Sequence, residues 1–247
     1  MMDNNVENID EAAVKKPALW RVLFMLILPP ILIFTVITIF AIAYSVLGSG
    51  GAANIDKAIA ENIGYLFVLN HFLLFLLLVW FLKIDGLKFR DIGFRLPKNG
   101  LSGIAFELGL AVLSTVLVIV ILINVLPFFE GSGDATKLTQ EGRPLGNVFL
   151  FSLFAGVFVA SFVEETLYRG YGITGLGRHW GIIVAVIITS ILFGPLHFGF
   201  GIVGIIRSMF QGLVMALLFI RSKSLLAPMA AHSLTNLYAA LSAYEFI

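Results

Sequence analysis

The chain has 247 residues, 59% of them hydrophobic and only 13% charged, with a mean hydropathy of +0.99 and a formal net charge of +1. Soluble domains carry about 25% charged residues, so this composition is that of a membrane protein. The 16 Lys and Arg are scattered rather than striped, which argues against a nucleic-acid partner, and the lack of cysteine excludes disulfides, a thiolate nucleophile and Cys-ligated zinc.

Residues 1–21 form a polar tail ending in Lys15, Lys16 and Arg21. The apolar run from Val22 to Leu47 follows; at 26 residues it exceeds the core of about 7–15 residues of a cleaved signal peptide, and it reads as a retained helix. A span needs about 20 mostly apolar residues, which predicts spans near 22–47, 63–82, 103–126, 147–173, 181–197, 203–220 and 225–243. The expected fold is all-α, a polytopic transmembrane helical bundle of seven spans, or eight if one segment divides, in a single domain over residues 22–247. Pro29-Pro30 should kink the first span. The chain is therefore a multi-pass integral membrane protein with the lipid bilayer as its first partner, the plasma membrane if it is prokaryotic.

Loop charge sets the orientation. Segment 83–99 holds Lys83, Lys88, Arg90, Arg95 and Lys98 and reads as cytoplasmic, whereas 48–62 and 127–146 are poor in basic residues and read as external. The N-terminus is then cytoplasmic. In the same segment Leu87, Phe89, Ile92, Phe94 and Leu96 are interleaved with basic residues, as in a stretch lying on the inner leaflet; a solvated connector is the other reading.

Chemistry concentrates in the second half. A charged side chain at the bilayer centre costs at least about 2.5–3.5 kcal/mol, yet Glu164 and Glu165 stand side by side in the fourth span. Glu165 and Arg169 are i and i+4, share a helical face and can pair; Glu164 points about 100° away and has no such partner. His197 lies in FGPLHFG, where Pro195 interrupts backbone pairing, and His232 and Asn236 are i and i+4 on the last span. Counting at about 1.5 Å per residue puts His232 roughly 10 Å, Glu164 roughly 14 Å and His197 roughly 24 Å from the cytoplasmic helix ends. A wet pocket open to the cytoplasm would satisfy all four groups. His71, beside Asn70 in the second span, has no companion motif and reads as a plain interhelical hydrogen bond. His179, next to Arg178, reads as a solvated residue in a short loop.

Glu164-Glu165-x-x-x-Arg169-Gly170, Phe193-x-x-x-His197 and His232-x-x-x-Asn236, in that order on separate spans, resemble the three-motif signature of the CPBP family. These are the type II CAAX prenyl proteases and their bacterial relatives, the ABI and bacteriocin-processing proteins. The resemblance covers about residues 145–243. It implies an intramembrane endopeptidase whose peptide or protein substrate is reached from the cytoplasmic side. Carried over, Glu164 and His197 activate a water, His232 and Asn236 hold the oxyanion, and Glu165, Arg169 and Phe193 support the site. No cofactor is favoured. A zinc bound by Glu164, His197 and His232 is the alternative, against which stands the lack of a His-Glu-x-x-His motif.

Two other functions compete. One is a non-catalytic membrane scaffold, maturation factor or immunity protein of the same fold, in which the polar cluster only holds helices together. The other is a proton-relaying transporter, which more often shows a repeated pair of broken helices; only one break is visible here.

Overall fold

The computed structural model describes residues 15–47, 54–97, 99–125 and 147–243; the expected external loop 127–146 and most of the N-terminal tail lie outside them. Among the described residues the chain is helical. In chain order the helices are α1 (Leu19–Leu47), α2 (Ile55–Asp85), α3 (Gly100–Val125), α4 (residues 147–180), α5 (Ile182–Phe193), α6 (Gly201–Ser222) and α7 (Leu226–Ala243). Short 3-10 segments, Phe89–Ile92 and Gly194–Phe200, lie between α2 and α3 and between α5 and α6.

Each expected apolar segment is thus helical, but the count of seven spans is not confirmed. Five helical stretches among the described residues are long and apolar enough to cross a membrane: Leu19–Leu47, Ile55–Asp85, Gly100–Ile121, Leu150–Trp180 and Ile182–Ser222. The last runs α5 and α6 together. Alone, α5 has 12 residues, or about 18 Å, against a hydrocarbon core of about 30 Å. After it the chain turns: His197 has non-helical φ −104° and ψ 23°, and Gly201 has φ +69°, where a side chain would be strained. A Cβ on Gly194 would fall 2.9 Å from the carbonyl oxygen of Ile205, so α6 packs directly against the end of α5.

The molecule is apolar outside as well as within. Phe34, Leu113, Ile183 and Ile202 are all more than 60% exposed, as suits side chains whose solvent is lipid. The main core gathers Met25, Leu26, Leu74, Leu78, Tyr168, Leu176 and Phe193 from α1, α2, α4 and α5.

At the other end of α2, Asp85 accepts bonds from Arg21 and from the Tyr171 hydroxyl (2.9 Å), tying α1, α2 and α4 together. The segment after α2 is anchored to the bundle by part of its apolar set, while Phe89 and Leu96 remain exposed. Leu87 and Ile92 are buried in the core, Phe94 packs on Phe162 with ring centroids 5.6 Å apart, and the Gly93 carbonyl accepts from the Leu225 amide at 3.0 Å. His179 departs from expectation. It closes the last turn of α4, where its Nε2 bonds the Pro17 carbonyl at 2.8 Å.

Candidate active site

The helix carrying the paired glutamates is not uniformly α. Within α4, Ala155–Ala160 and Thr166–Ile173 are π-helical and flank the α-helical Ser161–Glu165. π segments bond i to i+5, widen the helix and recur at functional sites. Here carbonyls of the first π segment take side-chain donors from α7: Ser233 Oγ donates to Val157 O and Asn236 Nδ2 to Gly156 O, both at 2.8 Å. The widened helix and α7 are thereby fastened together beside Glu164.

Glu165 and Arg169 form the expected i, i+4 pair, Oε1 to Nη1 3.1 Å, with both side chains essentially inaccessible. Nη2 of Arg169 donates to the Gly212 carbonyl on α6 at 3.1 Å, and the guanidinium lies 4.4 Å from the centroid of the Phe193 ring. Gly212 makes this approach possible, because a Cβ there would sit 3.3 Å from both Arg169 Nη2 and Phe193 Cδ1. Phe193 also meets His197 (5.0 Å between centroids) and stands edge-on to His232 (5.7 Å). One ring therefore locates a cation and two histidines.

Glu164 is buried, and its two oxygens face different groups. Oε1 is 3.0 Å from His71 Nε2; Oε2 is 3.8 Å from His232 Nε2, too far for a direct bond, and has no hydrogen-bond partner. The histidines are fixed at their other nitrogens. His71 Nδ1 bonds the Phe67 carbonyl at 2.8 Å, His197 Nδ1 the Phe193 carbonyl at 3.3 Å, and His232 Nδ1 the Glu165 carboxylate at 2.7 Å. A carbonyl can only accept, so Nδ1 is the donor in His71 and His197, and the Glu165 carboxylate, already facing Arg169, sets the same tautomer in His232. When neutral, each ring then presents an Nε2 lone pair. His197 is half-buried and within electrostatic reach of both Glu164 and His232.

The structure thus gathers Glu164, Glu165, Arg169, Phe193 and His232 around one point, with His197 at its margin. Asn236 lies one turn beyond His232, and its observed bond is to Gly156, not to Glu164. His71 was not expected in this cluster. It does make an interhelical hydrogen bond, as its isolation suggested, but the partner is Glu164 itself. The only hint in the sequence is the polar Asn70-His71 pair inside an apolar run, both fully buried.

Next to Glu164 an apolar groove of about 440 Å³ opens between α4 and α7, lined by Phe158, Val159, Ser161, Phe162, Met229 and Ser233. Ser161 lies one turn before Glu164, and its buried hydroxyl has no hydrogen-bond partner. As for zinc, no three His, Asp or Glu side chains among the described residues are grouped so as to hold a metal ion.

A polytopic helical membrane protein with a buried carboxylate–histidine centre beside an apolar groove is the class defined so far. Residues 146–238, which contain the centre except for His71, match the family model described as type II CAAX prenyl endopeptidase Rce1-like, and this match supports the CPBP/CAAX protease family. No curated protein and no solved structure matched the chain.

Proposed function

We propose that this protein is an intramembrane endopeptidase that hydrolyses a peptide bond of a membrane-associated substrate, of the CAAX type or a bacteriocin or signal-type peptide. The reading is carried by one observation: Glu164 is held at Oε1 by His71 while Oε2, unpartnered, faces His232 Nε2 across 3.8 Å. With His232 protonated at Nε2, a water between the last two atoms would accept from Nε2, donate a hydrogen to Oε2 and keep a second lone pair for the substrate. Its oxygen bonds the scissile carbonyl carbon as its proton passes to Glu164 Oε2. Collapse of the intermediate breaks the C–N bond, and the same proton goes to the leaving amine. Such proton transfers contribute about 10²–10⁴-fold.

The oxyanion role of His232 requires a second proton on its Nε2, a charge that Glu165 compensates from 2.7 Å. Asn236 keeps one amide hydrogen beyond its bond to Gly156. His197 shares the electrostatics of Glu164 from the α5–α6 turn. No residue of this scheme needs a metal ion.

The same reading includes a cytoplasmic N-terminus, access from the cytoplasmic side, and seven passes with α5 and α6 forming a short hairpin. The bend at Gly194–Gly201 and the basic segment 83–99 support it.

The test compares membrane-bound peptides by mass spectrometry in cells making the unaltered chain or Glu164→Gln. Peptides truncated only with the unaltered chain are the expected result; identical profiles would refute proteolysis by Glu164.

A further inference from the structure

We infer that His71 is part of the general base, a positioning residue that holds one oxygen of Glu164 through a shared proton so that the other oxygen does the chemistry. This inference rests on the proteolytic reading above, but its residue lies on α2, outside the matched region 146–238.

Proton bookkeeping leads to it. His71 is fully buried, and its Nδ1–H is committed to the Phe67 carbonyl at 2.8 Å. A neutral ring therefore has only a lone pair at Nε2. An ionised Glu164 would set a second lone pair against it at 3.0 Å, a contact with no proton in it. The pair must then hold one proton, either as imidazolium and carboxylate or as neutral imidazole and carboxylic acid. In both forms Oε1 is the engaged oxygen and Oε2 the free one.

Both forms can take up a second proton at Oε2. From the ion pair, Oε2 accepts the water's proton while Oε1 goes on accepting from His71. From the neutral pair, the Oε1 proton shifts to Nε2 as the water's proton arrives at Oε2. The products are the same: a protonated Glu164 bonded to a protonated His71. The base is the pair, and without His71 the carboxyl group could rotate and present either oxygen.

Purely structural roles are separated by His71→Gln, which preserves a neutral N–H donor to Oε1 but cannot hold the proton. With the full chain in detergent and an internally quenched farnesylated CAAX peptide as probe, kcat should fall by about 10²-fold while KM changes less than about threefold. An unchanged kcat would overturn the inference. If Glu164→Gln also cleaves at the unaltered rate, the proteolytic reading has failed instead. Should His71→Gln not fold, or the probe not be cut, nitrogen NMR of histidine-labelled protein decides. The Nε2 resonance of His71 should move between the unaltered chain and Glu164→Gln; the same resonance in both would show that no proton is shared.

Discussion

Oε1 of Glu165 receives His232 Nδ1 at 2.7 Å and faces Arg169 Nη1 at 3.1 Å, so a single oxygen joins α7 to the guanidinium that α4 extends to α6. The two adjacent glutamates therefore serve different ends. Glu165→Gln leaves a buried guanidinium without its carboxylate, and breaking one partner of a buried pair costs about 3–5 kcal/mol. The expected outcome is low yield and a lowered Tm in detergent. Glu164→Gln, measured alongside, should keep its Tm and lose cleavage by orders of magnitude. The reverse pattern would invert the assigned roles.

Phe193 should be graded in its effects. Phe193→Leu keeps most of the packing but removes the ring beneath Arg169, a contact worth about 0.5–2 kcal/mol. Phe193→Ala also leaves a cavity in a fully buried position, for about 3–5 kcal/mol. Chemical denaturation in mild detergent should rank Ala well below Leu, and Leu below the unaltered chain; equal midpoints would show that the ring only fills space.

Gly170 is crowded and Gly109 is not. A Cβ at Gly170 would lie 2.7 Å from the Ile92 carbonyl oxygen, a backbone atom that cannot swing away, whereas nothing lies within 4 Å at Gly109. Gly170→Ala should displace the segment after α2, which limited proteolysis within residues 86–97 would detect as faster cleavage. Gly109→Ala should leave that rate unchanged and change stability by no more than about 1 kcal/mol.

Orientation can be read with single cysteines, because the chain has none of its own. A cysteine at Arg90 should react with a membrane-impermeant reagent only when the cytoplasmic face is open to it. Reaction from the external face of intact cells would refute the orientation and the cytoplasmic route to Glu164.

The helices were legible because apolar runs of this length have few alternatives to crossing or lining a membrane. Their ends were less so: α2 begins at Ile55, eight residues ahead of its expected start at 63, since its first turns carry Asp56, Lys57 and Glu61 and do not read as apolar. The Glu165–Arg169 pair was legible from helical spacing alone. The His71–Glu164 bond was not, because its partners are 93 positions apart and neither spacing nor composition links them. Asn236 could be placed on the face of His232, but its bond to Gly156 depends on a carbonyl in a π segment, and no residue pattern announces that segment.

Those π segments bear on how this chain can change length. A helix takes the π form where it holds one residue more than an α-helix would over the same turn. Ala155–Ala160 and Thr166–Ile173 thus act like two slack links on either side of the glutamates. Removing a single residue from the first would let the helix tighten to α over the same turn, leaving Ser161–Glu165 facing as before but returning to the helix's own ladder the carbonyls that accept from Ser233 and Asn236. α7 would then lose its two fastenings to α4, although every residue of the three motifs was still present. A one-residue deletion outside the motif positions can therefore loosen Asn236 from its place, and a reading based only on which residues are present would miss it.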